Sequence, residues 1–166
     1  MQFQRVEFSN ESAVRFSFSC HASGDRYEPY SRIVAVHFEG EYRIGSGGKP
    51  DARLIVALTQ AAVIVWKADA LILDLRGLDY QWGDEMEWVL SPPDGCPDLP
   101  FAVVVSDLCL PAISTLIFGV HSDRKATERE DIFESFEEAA EWLQAKLVVK
   151  REALYREFDG PPKEDA

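Results

Sequence analysis

Cationic side chains are scarce in this sequence: 17 Lys and Arg stand against 29 Asp and Glu in 166 residues, a formal charge of −12. No Lys/Arg cluster offers a positive face for phosphates, so nucleic acid is excluded as a ligand. Cysteine is equally sparse. Cys20, Cys96 and Cys109 are an odd number at wide spacing, which fits neither a disulfide framework nor a paired metal knuckle and implies free, reduced thiols. Long apolar runs are missing too. The longest, residues 54–66, is interrupted by Thr59 and Gln60 and falls short of the roughly 20 residues that cross a bilayer, so no membrane span is expected. Met1 to Phe8 show no charged start, apolar run or small-residue cleavage site, so a cytoplasmic protein is expected. Internal repeats and low-complexity tracts are also lacking.

What is present is enough for a core. Hydrophobic residues make up 46% of the chain and charged residues 28%, the balance of one ordinary domain. Val14, Phe16, Phe18 and Cys20 alternate as one strand face, and Ser9 to Ser12 can turn that strand back on Phe3 to Phe8. This predicts an N-terminal hairpin over residues 1–22. The core is then expected over 31–158, with 159–166 as a frayed tail.

Within that core, Ile33 to Phe38 reads as a strand, and a helix is predicted from Asp51 to Lys67. Leu54, Leu58, Ala61 and Val65 line one face of this helix, yet Ile55, Val56, Ala62, Val63 and Ile64 cover most of the rest. It must therefore be covered on more than one side, by the domain or by a partner, which leaves a homodimer open. Ala70 to Leu75 and Pro100 to Val105 are interior, parallel-type strands. A short helix is predicted over 84–90 before Ser91-Pro92-Pro93, while Leu110 to Val120 suits either helix or strand. Ser135 and Glu138 form a capping box for a helix from Phe136 towards Phe158, whose stripe is Phe136, Ala140, Leu143, Leu147, Leu154 and Phe158. The fold class is α/β: a single mixed β-sheet with helices packed on it, preceded by the hairpin.

No local signature dictates a reaction. Gly45-Ser46-Gly47-Gly48-Lys49 precedes a helix but fails the Walker spacing, because Arg43 stands where the first Gly belongs and Pro50 where Ser or Thr belongs. It reads as a flexible connection. Cys20-His21 would point to opposite faces of a strand and chelate poorly, so no metal or cofactor is expected. A Ser-His or Cys-His pair can still meet in space, but no nucleophile elbow is present, and no catalytic residue is assigned.

Acidic residues concentrate from Asp74 to Asp98, and a solvated face is their default explanation. Aromatics interleave with them, however. Tyr80, Trp82, Asp84, Glu85 and Glu87 are the candidate partner-binding residues, the rings supplying desolvated area and the acids setting encounter and register. Trp88 and Met86 are expected on the inward face of the short helix. A second acidic run, Glu128 to Glu141, partly serves a helix dipole through Glu137 and Glu138.

The strand with Phe38-Glu39-Gly40, the helix from Asp51, Leu71-Ile72-Leu73-Asp74-Leu75-Arg76-Gly77-Leu78, the Val103-Val104-Val105 strand and Ile132 to Leu143 resemble, in that order, the STAS-type domain of anti-sigma factor antagonists. The resemblance implies a phosphorylatable Ser at the turn after the Asp-Leu strand, but that place falls near Gly83, which has no hydroxyl. A phosphorylation switch is therefore not expected there. The same segment also resembles the crotonase superfamily, in which such a strand precedes an oxyanion-forming turn.

Taken together, these features lead us to expect a noncatalytic protein-binding protein of immunity or antidote type that neutralises a basic toxin or enzyme. A STAS-like signalling regulator without the switch is the alternative, and a crotonase-like acyl-group enzyme the third.

Overall fold

Strands β1 (Arg15–Ser23), β2 (Ser31–Glu41), β3 (Ala70–Asp79), β4 (Phe101–Val104) and β5 (Ile132–Phe133) lie side by side in chain order in a computed structural model that describes residues 12–23 and 31–159. β1 pairs antiparallel with β2, and β2 through β5 run parallel. The fold is α/β with a single mixed sheet and an N-terminal antiparallel hairpin. The antiparallel partner that the structure gives β1 is β2; the predicted pairing with Phe3 to Phe8 lies outside the described residues.

Helices α1 (Lys49–Trp66), α2 (Met86–Val89) and α3 (Leu110–Phe118) cover one face of the sheet, and α4 (Phe136–Asp159) the other. The strands show why both faces need cover. Leu71, Leu73 and Leu75 point into the first layer while Ala70 and Ile72 point into the second, so β3 is apolar on both sides. Val103 and Val105 against Ala102 and Val104 repeat the pattern at β4.

Helix α1 begins two residues before the expected start, because a 3-10 turn at Ser46–Gly48 runs straight into it with Pro50 in its first turn. Its inward stripe is also different: Leu54, Ile55, Thr59 and Ala62 are buried, whereas Ala61 and Val65 face outward. The two stripes are almost equally apolar, so periodicity could not choose between them. Thr59 can be buried because its hydroxyl donates to the Ile55 carbonyl at 2.7 Å. The outer stripe remains uncovered among the described residues, with Ile64 70% and Val65 67% exposed.

The ambiguous 110–120 segment is a helix, α3, with Pro111 in its first turn. Helix α4 starts at Phe136 as expected, and its first half docks on the sheet through Ala139, Leu143 and Leu147. The Glu138 N–H donates to the Ser135 hydroxyl at 3.3 Å. Ser135→Ala is accordingly expected to cost about 1 kcal/mol in urea unfolding; no measurable loss would show that the cap does not hold this helix start.

Candidate functional site

The turn between β3 and α2 is mounted on a buried tyrosine. Tyr42 follows β2, and its ring lies so close to Gly48 and Gly83 that a Cβ on either would come within 2.3 and 2.6 Å of it. Only glycine fits at these two places. The Tyr42 hydroxyl donates to the Asp84 carbonyl. The Asp84 N–H donates to the Gly45 carbonyl at 3.0 Å and the Gly45 N–H to the Trp82 carbonyl at 3.3 Å. The glycine-rich segment is thus tied to the 82–84 turn, and the expectation of a flexible connection is corrected.

Trp82 stands on this brace with its ring against Gly45 and is 63% exposed. Six residues on, Trp88 is 42% exposed, so it is not the inward residue that the helical pattern suggested. The reason is the length of α2. Glu85 adopts φ 69°, and the helix is a single turn whose inward positions are taken by Met86 and Val89. Two indoles are therefore exposed, Trp82 on the braced turn and Trp88 on the single-turn helix that follows it.

The other candidates are arranged differently from each other. Tyr80 is 2% exposed, packs edge-on against Tyr42 with centroids 5.2 Å apart, and donates from its hydroxyl to the Gly83 carbonyl at 3.3 Å. It braces the turn from inside and presents no area of its own. Asp84 lies 3.7 Å from Lys49 and Glu85 3.9 Å from Arg53, so α1 supplies cations to both. Such half-exposed pairs are weak but reduce the net field of these acids. Glu87 is exposed and has no ion-pair partner among the described residues. Trp82, Trp88 and Glu87 are the exposed side chains of the 82–88 segment, whereas Asp84 and Glu85 are partly buried.

Acyl-group chemistry at this turn meets two obstacles. The Asp84 N–H is already taken by Gly45, and the space over Gly83 is filled by the Tyr42 ring. An oxyanion hole needs free, converging donors at that point.

Comparison of the chain with family descriptions, curated proteins and solved structures returns no match.

On the sheet face that bears α4, a polar row crosses three strands. The Ser19 hydroxyl is 2.8 Å from His37 Nε2, and His37 Nδ1 is 2.8 Å from Asp74 Oδ2. Arg76 Nε and Nη2 donate to the two oxygens of Asp74 at 2.9 and 2.8 Å. Phe136 at the start of α4 stacks on His37, centroids 5.7 Å apart and planes at 23°. Sequence reasoning missed this row because its members come from β1, β2 and β3, and strand register is not legible in spacing. A signal was nevertheless there: His37 and Asp74 are polar residues inside otherwise apolar strands, and buried polar groups ask for an explanation.

Burial raises the Asp74 carboxyl, but hydrogen bonds from Arg76 and His37 outweigh it, and the net direction is down. A carboxyl lowered on folding stabilises the fold above its unfolded value, and that contribution is lost as pH falls through the lower, folded value. Asp74→Asn is expected to be less stable than wild type at neutral pH, with the gap closing below about pH 4. Urea titrations at neutral and acid pH check this, and a gap independent of pH would contradict it. Among the described residues, no His, Cys, Asp and Glu side chains gather into a group that could hold a metal ion.

Proposed function

We propose that this chain acts by binding another protein through Trp82, Trp88 and Glu87, and that the partner is basic, as for an antidote or immunity protein that caps a toxin or enzyme. The observation that supports this reading is the pair of exposed indoles, one on the braced turn and one on the helix that follows it. Aromatic side chains carried on backbone that is already ordered lose less freedom on docking, so more of their buried area becomes affinity. A net charge of −12 favours encounter with a cationic surface.

A signalling regulator of STAS type would use the same turn, with Gly83 in the place of a phosphoacceptor; the identity of the partner separates it from an antidote. Site-specific photo-crosslinking in cells tests the reading. Benzoylphenylalanine at position 82 is expected to give one dominant adduct, identified by mass spectrometry as a chain rich in Lys and Arg. The same probe at position 61, on the uncovered apolar stripe of α1, serves as the competing surface. No adduct from position 82, or the same adduct from position 61 alone, would overturn the proposal.

A further inference from the structure

The polar row on the other face has the connectivity of a nucleophile, a base and an orienting carboxylate. An ionised carboxylate only accepts hydrogen bonds, so Asp74 fixes the Nδ1–H tautomer of His37. In the neutral ring Nε2 is then the acceptor, and the group in front of it at 2.8 Å is the Ser19 hydroxyl, which donates. This is the arrangement in which a serine oxygen gains nucleophilicity, recognised by geometry rather than by chain order. Phe136 stacking on one side and Asp74 at Nδ1 hold the imidazole in plane. Arg76 grips both oxygens of Asp74 and so holds the carboxylate in its turn.

Ser19 is exposed and borders a groove of about 430 Å³. Ile33, Ala35 and Ile72 also line this groove, together with Phe136, Ala140 and Gln144 of α4. The lining surface is mostly apolar, with polar groups from Ser19, His21, Glu137 and Gln144. A short, uncharged acyl group matches that surface, whereas an anionic substrate meets the Glu137 carboxylate.

We infer that Ser19 is an activated nucleophile for carboxylic esters with short apolar acyl groups, with His37 as its general base and Asp74 as a positioning residue. This goes beyond the protein-binding reading and sits on a different face of the sheet. In the step assigned to it, Ser19 Oγ attacks the ester carbonyl carbon while His37 Nε2 takes the hydroxyl proton. The bond from that carbon to the alkoxy oxygen then breaks, the leaving alcohol receives the proton from His37, and the acyl group stays on Ser19. Water repeats the sequence in reverse and releases the acid.

The test uses a fluorophosphonate probe on the whole chain, read by intact mass and peptide mapping. The probe's phosphorus takes the place of the carbonyl carbon: an O–P bond forms at Ser19, fluoride leaves, and His37 takes the proton. One label on Ser19 is expected, with none on Ser19→Ala and labelling at least about 100-fold slower on His37→Gln. Circular dichroism and thermal melts establish that both variants are folded; Ser19 is exposed, so its alanine variant is expected to melt like wild type.

Asp74→Asn should slow labelling in a chain that still melts as a folded protein, and Asp74→Glu, which restores a carboxylate, should recover part of the rate, which a merely structural role would not do. Absence of labelling on the wild-type chain, or a label that persists on Ser19→Ala, would overturn the inference.

Discussion

Replacing Trp82 and Trp88 together by Ala should weaken binding to the crosslinked partner by at least about 100-fold, since a central aromatic anchor contributes roughly 2 kcal/mol or more and 1.4 kcal/mol is tenfold. The free protein should stay folded, with a modest loss of stability that comes mainly from Trp88, which is more than half covered. Trp82 is mostly in solvent and rests on Gly45 by one part of its ring, and the inward positions of α2 belong to Met86 and Val89. Titration calorimetry against the partner, with a thermal melt of each protein, separates the two effects. Unchanged affinity in a folded double variant would remove the indoles from the interface.

Charge should act differently from the rings. Glu87 is free to meet a cation, whereas Asp84 and Glu85 already face Lys49 and Arg53. Added salt is therefore expected to slow association through the field of the whole chain more than it loosens the formed complex.

The largest effect on stability is expected from Asp51→Ala, about 2–3 kcal/mol in urea unfolding, because Arg43 loses three hydrogen bonds while its side chain, 38% exposed, can be hydrated in part. Asp51 is fully buried at the start of α1. Its Oδ2 accepts from the Arg43 N–H at 2.9 Å and from Arg43 Nε at 3.0 Å, and its Oδ1 from Arg43 Nη2 at 2.9 Å. Removing the carboxylate takes away three hydrogen bonds from the Arg43 backbone and guanidinium at once, beside the Tyr42 ring on which the 82–84 turn rests. The variant should therefore also lose partner binding in proportion to the unfolding of this corner. Asp51→Asn keeps one acceptor and should lose less. A loss below about 1 kcal/mol for Asp51→Ala would mean that Arg43 is rehydrated without consequence.

Much of the architecture could be read directly from residues. The apolar runs at β3 and β4 named interior parallel strands, and Ser135 with Glu138 named the start of α4 correctly. These signals are local. What could not be read depends on contacts between distant segments. The α1 stripe was misassigned because its two faces are similarly apolar, and the glycine segment looked loose because the Tyr42 ring that fills its space lies outside the motif. Tyr80 and Trp82 are two residues apart and equally aromatic, yet one is interior and one is not. The inward alternation of Leu71, Leu73 and Leu75 shifts by one residue at the irregularity where His37 pairs with Asp74 but Glu39 with Gly77, and Leu78 and Tyr80 then enter the core; β3 ends at Asp79, and Trp82 is released onto the surface. The Ser19, His37 and Asp74 row needed the register Ser17↔His37 and His37↔Asp74 before it could be seen at all.

Amide hydrogen exchange of the free and partner-bound chain tests the central claim most directly. Protection is predicted over 81–90 and over the residues that brace it, 43–53, with no change across 57–65 of α1 or 15–21 of β1. Protection confined to either of those two segments would contradict the account.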